Sequence, residues 1–413
     1  MNVSKRKVAG AVASVAAVAL VFGTSVPASA ADNQLKIGAI VPLTGSLSFL
    51  VPPELAGLHL AVDEINAAGG VLGKKVTLDI LDEADGDNPA VSQAAATKHI
   101  ANKVDLVIGA ASSARTRLII NKITGAKVVQ ISGSNTAPDL TDWKDGGYYF
   151  RTAPSDLLQG AIIGNQIVAD GNENVAIIYQ QTAYGEGLEA KAKAIIEGAG
   201  ATVVSSLPFP EAETNFDTIV DQTIAAGADS VLVISYDEIK KIVPALQKKS
   251  FDGSKIYFVD GNLANFEDQS WKGYIEGAKG TLPGGDTDAA FKQRASDLYK
   301  TNHGEELKEF AYLAETYDAV ILLALAAEQA GNDSGEAIAA NMQSVSTGGD
   351  KVTDFAAGLE AIKAGKDIDY DGFSGPIEFD DNGDPTGASI GIHQYGTDGK
   401  YSLLNVVAGN SVK

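Results

Sequence analysis

Alternating apolar runs and helical patterns constrain the fold of this chain more than any other feature. Apolar runs at 35–41, 76–81 and 106–108 alternate with helical patterns at 54–68 and 90–102. Short apolar runs separated by helices are typical of parallel strands joined by helical crossovers. We therefore predict an α/β fold that begins with a doubly wound parallel sheet.

A second alternation of the same kind begins after residue 154. Its predicted strands lie at 175–179, 202–207, 230–235 and 255–259. Its helices are predicted to start near Asp156, Gly187, Phe216 and Ile239. Two longer helical stretches follow at 289–300 and 310–330. The second half of the chain therefore repeats the architecture of the first, as a second Rossmann-like sheet.

The length of the chain predicts two lobes. Single hydrophobic cores stop growing at about 250–300 residues, whereas this chain has 413 residues. No low-complexity linker separates the two alternations, so crossovers near 151–154, 283–285 and 371–375 are predicted to act as hinges. We predict an N-terminal lobe at 31–152 plus 284–372 and a C-terminal lobe at 153–283 plus 373–413.

An acidic turn near the C-terminus predicts a β-hairpin. The turn, Asp381-Asn382-Gly383-Asp384, lies between extended stretches at 376–379 and 389–395. Asn-Gly is a preferred pair in tight hairpin turns. We therefore expect the two stretches to pair as antiparallel strands.

The first residues of the chain resemble a secretory signal peptide. Basic residues at 5–7 precede an apolar run at 9–22 and an A-x-A cleavage site at 28–30. The alternative is a membrane anchor, but the apolar run is short for a span. We expect cleavage after Ala30 and export to the periplasm or the exterior of the cell envelope. With no cysteine in the chain, neither a disulfide nor a lipid anchor on cysteine is expected.

The net charge of the chain argues against two classes of partner. Removal of residues 1–30, which hold three basic and no acidic side chains, changes the formal net charge from −21 to −24. A strongly negative protein is repelled by nucleic acids and by anionic membrane surfaces. We therefore expect no nucleic-acid partner, and no stable membrane insertion after cleavage.

Small polar loops follow two neighbouring strands of the first predicted sheet. The strand at 106–108 is followed by Ser112 and Ser113, and the next strand by Ser134 and Thr136. Ligands of open α/β sheets bind outside the carboxyl ends of the strands, where hydroxyl and N–H groups hold anions. A carboxylate-binding cradle is one interpretation. The other is that these residues are ordinary helix caps.

Familiar signatures of enzymes and metal centres do not occur in the chain. The four histidines lack zinc-ligand spacing, and the segment at 69–74 has the wrong spacing for a P-loop. A G-x-S-x-G nucleophile motif is also missing. We therefore predict no catalytic residues, no metal ligands and no cofactor.

Several motifs occur in a specific order along the chain. They are LKIGAIVPLTG at 35–45, AVDEINAAGG at 61–70, VIGAASS at 107–113, QISGSNT at 130–136, FRTAPSD at 150–156, YGEGL at 184–188 and ETYDAVILLA at 315–324. Together they resemble the branched-chain amino-acid binding proteins of ABC importers, which are type I periplasmic binding proteins. The resemblance implies two Rossmann-like lobes, joined by three hinge crossovers, that enclose a ligand when they close.

The resemblance also implies which residues contact an amino-acid ligand. Its carboxylate would be held from the first lobe by Ser113, Ser134 and Thr136, with Ser112 beside them. Its ammonium group would be held from the second lobe by Asp260. The residues beside this acid would be Tyr184 and Tyr236. This division fits a zwitterion, which needs hydroxyl and amide donors at one end and a carboxylate at the other.

The loop after the first strand leaves the choice of amino acid open. Relatives often place an aromatic residue there, whereas this chain reads Ser48-Phe49-Leu50-Val51-Pro52. We predict that Leu50 contacts the side chain of the ligand, with Phe49 as the alternative. Leucine, isoleucine, valine and other amino acids all remain candidates.

The sequence therefore predicts a monomeric solute-binding protein that captures a small amino acid for an ABC permease. A branched-chain amino acid is the first candidate. One alternative is a sensor-type binding protein for an amide, urea or aromatic acid. The other alternative is a secreted enzyme.

Overall fold

Two α/β sheets form the framework of the protein. The computed structural model describes residues 31–84 and 88–410. The predicted signal peptide and its cleavage site, at 1–30, lie outside the described residues. In the described part of the chain, no helix has both the length and the apolar composition that are needed to cross a membrane.

The first sheet contains five parallel strands in the order β2-β1-β3-β4-β5. These strands are β1 (Lys36–Val41), β2 (Thr77–Asp82), β3 (Leu106–Gly109), β4 (Val129–Ser132) and β5 (Tyr149–Arg151). The connecting helices are α1 (Val51–Ala67), α2 (Pro89–Ala101) and α3 (Ser113–Gly125). The predicted strands and helices of this region are thus confirmed, although β5 was not predicted because it is only three residues long.

The second sheet begins with five strands that run parallel to one another. They are β6 (Asn174–Gln180), β7 (Thr202–Phe209), β8 (Ser230–Ile234), β9 (Ile256–Phe258) and β10 (Lys279–Pro283). The helices of this region are α4 (Asp156–Ala169), α5 (Ala183–Gly198), α6 (Asp217–Ala225) and α7 (Ile239–Lys248). Helix α5 begins four residues earlier than predicted because the Thr182 hydroxyl caps it by accepting from the Gly185 N–H.

The chain then returns to the first sheet through four helices and a small three-stranded sheet. They are α8 (Ala289–His303), α9 (Leu313–Ala330), α10 (Gly335–Asn341), β11 (Asp350–Val352), α11 (Phe355–Lys363), β12 (Ile368–Gly372) and β13 (Gly375–Pro376). Residues of α8 and α9 share one hydrophobic cluster with α1 and β1. Residues 313–327 of α9 are all buried, which is typical of a helix enclosed by the rest of the core.

Two antiparallel strands complete the second sheet and correct one prediction. They are β14 (Gly387–Tyr395) and β15 (Tyr401–Asn410), and the order of the sheet is β15-β14-β10-β9-β8-β6-β7. The predicted hairpin between 376–379 and 389–395 is wrong, because β14 pairs with β10 and β15 instead. Only a single bridge joins Phe379 to Pro385 around the acidic turn. An ion pair anchors the turn instead of a hairpin: the Asp384 carboxylate is buried against Arg151, with an Nε–Oδ1 distance of 2.6 Å.

Candidate functional site

A small cavity lies where the loops after the strands of both sheets meet. Seven of the eight residues predicted to contact a ligand line this cavity. They are Leu50, Ser113, Ser134, Thr136, Tyr184, Tyr236 and Asp260. Parallel strands present their carboxyl ends at one edge of a sheet, and this is why residues far apart in the sequence converge here. Their role as ligand contacts remains a prediction.

The wall on the side of the first sheet depends on close backbone packing after β3 and β4. A Cβ on Gly109 would overlap the carbonyl oxygen of Ile40, and Gly109 has a φ of +106° that favours glycine. A Cβ on Gly133 would lie 2.7 Å from Thr316 Oγ1. These two positions allow the loops to approach β1 and α9, which brings Ser113 and Ser134 to the cavity.

The three predicted hydroxyl donors of this wall are not equivalent. The Ser134 hydroxyl donates to Glu54 Oε1 at 2.7 Å, and the Thr136 hydroxyl donates to Asp156 Oδ2 at 2.9 Å. The Ser113 oxygen instead accepts from the Thr136 N–H at 3.2 Å. The Ser113 proton is therefore the one that is left to donate into the cavity.

Ser112 does not line the cavity, contrary to its predicted place among the ligand contacts. Its hydroxyl caps α3 by accepting from the Arg115 N–H at 3.4 Å. Its own N–H donates to Glu83 Oε1 at 3.0 Å. For this residue, the helix-cap interpretation describes the local geometry.

Asp260 is the central charged group of the second wall. It follows β9 and is 3% exposed. Its Oδ1 accepts from the Tyr184 hydroxyl at 2.7 Å and from Gln159 Nε2 at 2.9 Å. Its Oδ2 accepts from the Tyr312 hydroxyl. Burial raises the pKa of Asp260, and the hydrogen bonds from Tyr312 and Tyr184 oppose that shift because they favour the ionised form.

Aromatic rings cover the Asp260 carboxylate. Tyr184 and Tyr236 stack with a centroid distance of 5.5 Å and an interplanar angle of 13°. Burial raises the pKa of both hydroxyls well above the usual tyrosine value, and the charge of Asp260 adds to the shift. Both rings therefore stay neutral and act as hydrogen-bonding walls at neutral pH.

Four cavity residues were not predicted from the sequence. They are Leu47, Ala111, Gly261 and Tyr312. Of these, Tyr312 matters most, because it supplies the hydroxyl that donates to Asp260 Oδ2. The sequence pattern predicted that the long helix starts at 310, but α9 starts at Leu313 and Tyr312 has a left-handed φ of 60°. Helical periodicity does not reveal a residue that precedes a helix in a left-handed conformation. The one signal in the sequence was that Tyr312 lies close to the ETYDAVILLA motif.

The two candidate residues in the loop after β1 differ in position. Leu50 is 2% exposed and lines the cavity. Phe49 is half-buried and packs against the hydrophobic cluster that also contains Leu50, but it does not line the cavity. With Leu47 and Ala111, Leu50 forms an apolar patch of the cavity lining, in the same hydrophobic cluster as Tyr184 and Tyr236.

Buried carboxyl groups lie behind the polar walls of the cavity. Glu54 is 2% exposed, and burial raises its pKa to about 7. Burial raises the pKa of Glu83 well above its usual range, and repulsion from Glu54 raises it further. Burial raises the pKa of Asp156 in the same way, with repulsion from Asp260 as the second cause. The region is therefore rich in negative charge whenever these groups are ionised.

Contacts between the two sheet units close the cavity from outside. The Arg115 guanidinium of α3 bonds both oxygens of Glu211, at 2.8 Å and 3.0 Å. The Asp237 N–H donates to the Ser46 carbonyl oxygen at 3.3 Å. Within residues 31–84 and 88–410, no cluster of three or more metal-ligating side chains is present.

A family model described as periplasmic binding protein matches residues 34–399. This match covers most of the chain. The chain belongs to the periplasmic binding protein family. This assignment agrees with the predicted resemblance and with the two-sheet α/β fold.

Three known proteins illustrate what this periplasmic binding protein resembles. The Leu/Ile/Val-binding protein homolog 3 of Brucella melitensis is 26% identical over 374 residues, which cover 90% of this chain and 94% of the relative. A branched-chain amino acid transporter substrate binding protein from Streptococcus pneumoniae, solved in complex with isoleucine, has a TM-score of 0.72 and 25% identity. The comparison covers 91% of this chain and 99% of that structure. A solute binding protein from Rhodopseudomonas palustris, solved with 3,4-dihydroxy benzoic acid, has a TM-score of 0.73 and 19% identity. The comparison covers 92% of this chain and 99% of that structure. At this identity, the likeness shows the shared fold alone.

Proposed function

We propose that this periplasmic binding protein is exported, captures a branched-chain amino acid between two lobes and delivers it to the permease of an ABC importer. The proposal includes cleavage after Ala30, a monomeric mature protein and no cofactor. It keeps the predicted lobes, 31–152 plus 284–372 and 153–283 plus 373–413, as the bodies that move.

The observation that carries the proposal is that the buried Asp260 carboxylate and the Ser113 hydroxyl line the same cavity. A zwitterion matches this pair, because its ammonium group compensates the buried carboxylate while its own carboxylate accepts from the hydroxyl. The apolar patch of Leu47, Leu50 and Ala111 suits an aliphatic side chain. The name of the Brucella relative and the isoleucine in the Streptococcus structure support the same ligand class.

The size of the cavity supports binding by lobe closure. The volume of the cavity that the centre of a water-sized sphere can occupy is about 10 Å³. This is about the space that one water molecule needs. An amino acid is larger, so its entry requires the walls to separate and to close again around it. Contacts such as Arg115 with Glu211 form only when the walls meet, and ligand binding shifts the population toward that state.

The competing function is binding of an aromatic acid, as in the Rhodopseudomonas structure, or of an amide or urea. A carboxylate ligand without an amino group leaves the Asp260 charge uncompensated, which is unfavourable in a buried site. A thermal-shift screen of the mature chain from Ala31 against amino acids, benzoic acids, amides and urea separates these functions. A ligand at 100 times its dissociation constant stabilises the protein by about 2.7 kcal/mol.

Substitution of Asp260 by Asn tests the assignment of the ammonium partner. Loss of one member of a buried charge pair costs about 2 to 5 kcal/mol, so the dissociation constant for L-isoleucine should rise roughly 30-fold or more, measured by calorimetry. Ser113→Ala, which removes a single hydrogen bond, should have a smaller effect. If Asp260→Asn binds amino acids as the wild-type protein does, or if only acids without an amino group bind, the proposed function is wrong.

A further inference from the structure

A second buried aspartate is hydrogen-bonded to a residue that lines the same cavity as Asp260. Asp156 is the first residue of α4 and is fully buried. It is linked to the cavity wall because Thr136 donates to its Oδ2 at 2.9 Å. One turn later on the same helix, Gln159 donates to Asp260 Oδ1 at 2.9 Å. Asp156 therefore lies behind the cavity residue Thr136, and its helix also contacts Asp260 through Gln159.

Hydrogen bonds are distributed unequally between the two carboxyl groups. Asp260 accepts from Tyr184, Tyr312 and Gln159, whereas Asp156 accepts from Thr136 alone in the described part of the chain. Asp156 Oδ1 is buried and has no hydrogen-bond partner among the described residues. Donors to a carboxylate favour its ionised form. When only one of the two groups is ionised, that group is therefore Asp260, and Asp156 holds the proton.

The positive charge near this pair belongs to Arg151, which forms an ion pair with Asp384. Arg151 lowers the pKa of Asp156, but it is the weakest of the four causes, and its guanidinium is bonded to Asp384. Tyr184 and Tyr312 face the pair as neutral hydroxyls. Burial and the charge of Asp260 both raise the pKa of Asp156.

The other surfaces that pack against α4 add no ionised partner to Asp156. On α5, the Lys191 side chain lies against Gly160, and the ion pair of Lys279 with Asp170 lies at the opposite end of α4. Strands β14 and β15 meet α4 through an apolar cluster that contains Leu158 and Ile162. The ammonium group of a ligand is therefore the cation that this side of the cavity can accept.

We propose that Asp156 is a second, indirect anionic partner of the ligand's ammonium group, and that the Asp156–Asp260 pair releases a proton when the ligand binds. The inference rests on the proposed function, because it requires a ligand with an amino group. Two buried carboxylates at close range cannot both ionise without a compensating cation. The ammonium group supplies that cation, so the proton leaves Asp156 for the solvent. Asp156 acts as a positioning residue through Thr136 and through its charge, without touching the ligand.

Proton release makes the affinity depend on pH with a defined sign. Because binding releases a proton, the dissociation constant for L-isoleucine falls as pH rises, by up to about tenfold per pH unit for one full proton. In Asp156→Asn, the Thr136 bond is kept but the titrating group is lost. The variant should bind within about twofold of wild type near pH 6 and progressively more weakly than wild type toward pH 8, since the second charge then develops only in wild type. A merely structural defect would weaken binding equally at every pH.

Calorimetry with L-isoleucine in two buffers of different ionisation enthalpy measures the released proton directly. The wild-type heat should differ between the buffers, and the Asp156→Asn heat should not. Asp105→Asn is the matched control, because burial also raises the pKa of Asp105 to about 7, while it lies before β3, away from the cavity. This control should release the proton as wild type does. Binding of L-isoleucine without proton release, or release that is kept in Asp156→Asn but lost in Glu54→Gln, would overturn this inference alone. Failure of every amino acid to bind would overturn the proposed function together with it.

Discussion

Replacement of Asp384 by Asn should destabilise the protein strongly, because it leaves a buried guanidinium without its counter-charge. The side chains of Arg151 and Asp384 are both fully buried, and two N–O contacts of 2.6 Å join them. Arg151 also donates to the Ala137 carbonyl oxygen at 2.9 Å and to Thr141 Oγ1 at 2.7 Å. These two bonds satisfy other N–H groups but do not compensate the charge.

The magnitude of the effect follows from the burial of the pair. Two unit charges about 4 Å apart attract by about 4 kcal/mol at an effective dielectric constant of about 20. Removal of one partner from a buried ion pair typically costs about 3 to 5 kcal/mol. With a urea m-value of about 3 kcal/mol per molar, the unfolding midpoint of Asp384→Asn should fall by about 1 M or more.

Urea unfolding followed by tryptophan fluorescence measures this effect. Trp143 donates to Asn121 of α3 and reports on the first sheet, whereas Trp271 is buried in a cluster with Phe258 of β9 and reports on the second. Asp139→Asn is the matched control, since the Arg117–Asp139 pair has an N–O distance of 2.7 Å but is 37% and 38% exposed. An exposed pair contributes about 1 kcal/mol or less. If Asp384→Asn loses no more stability than Asp139→Asn, the argument from burial is wrong.

Two further predictions concern lobe closure and the pH dependence of stability. A Cβ on Gly187 of α5 would lie 2.5 Å from Pro138 Cδ, across the contact between the two sheet units. Gly187→Ala should therefore weaken L-isoleucine binding in calorimetry, while its urea midpoint stays at or above that of wild type. Equal affinity would show that this contact does not close on binding. Burial raises the pKa of Glu315 to about 8, whereas an unfolded glutamate titrates near pH 4.3. Between about pH 4.5 and pH 8 the folded state therefore holds a proton that the unfolded chain lacks. Stability falls as pH rises through this window. Glu315→Gln should reduce that fall in urea unfolding at several pH values, and an unchanged slope would contradict the assignment.

Much of the fold and of the candidate site was predictable from local patterns. Strands β1 to β4 and β6 to β9 were predicted because each is a short apolar run between helical patterns, whereas β10 was not predicted. Helices α10 and α11 and strand β11 were not predicted, because these elements are short; the two helices pack against α9. The hairpin around 381–384 was wrong for a related reason, since burial of Asp384 against Arg151 involves residues more than 200 positions apart.

The candidate site shows the same division between sequence and tertiary structure. The sequence by itself determined the order of strands and helices and the small polar loops after β3 and β4, because these depend on local patterns and on the rule that ligands lie at the carboxyl ends of parallel strands. The acid after β9 was predicted only through the resemblance to a known family. Only the tertiary structure decided that Tyr312 reaches Asp260, that Ser112 caps a helix, and that Thr136 is bonded to Asp156. Those contacts join segments that are distant in sequence, and their energies come from burial, which a linear pattern does not contain.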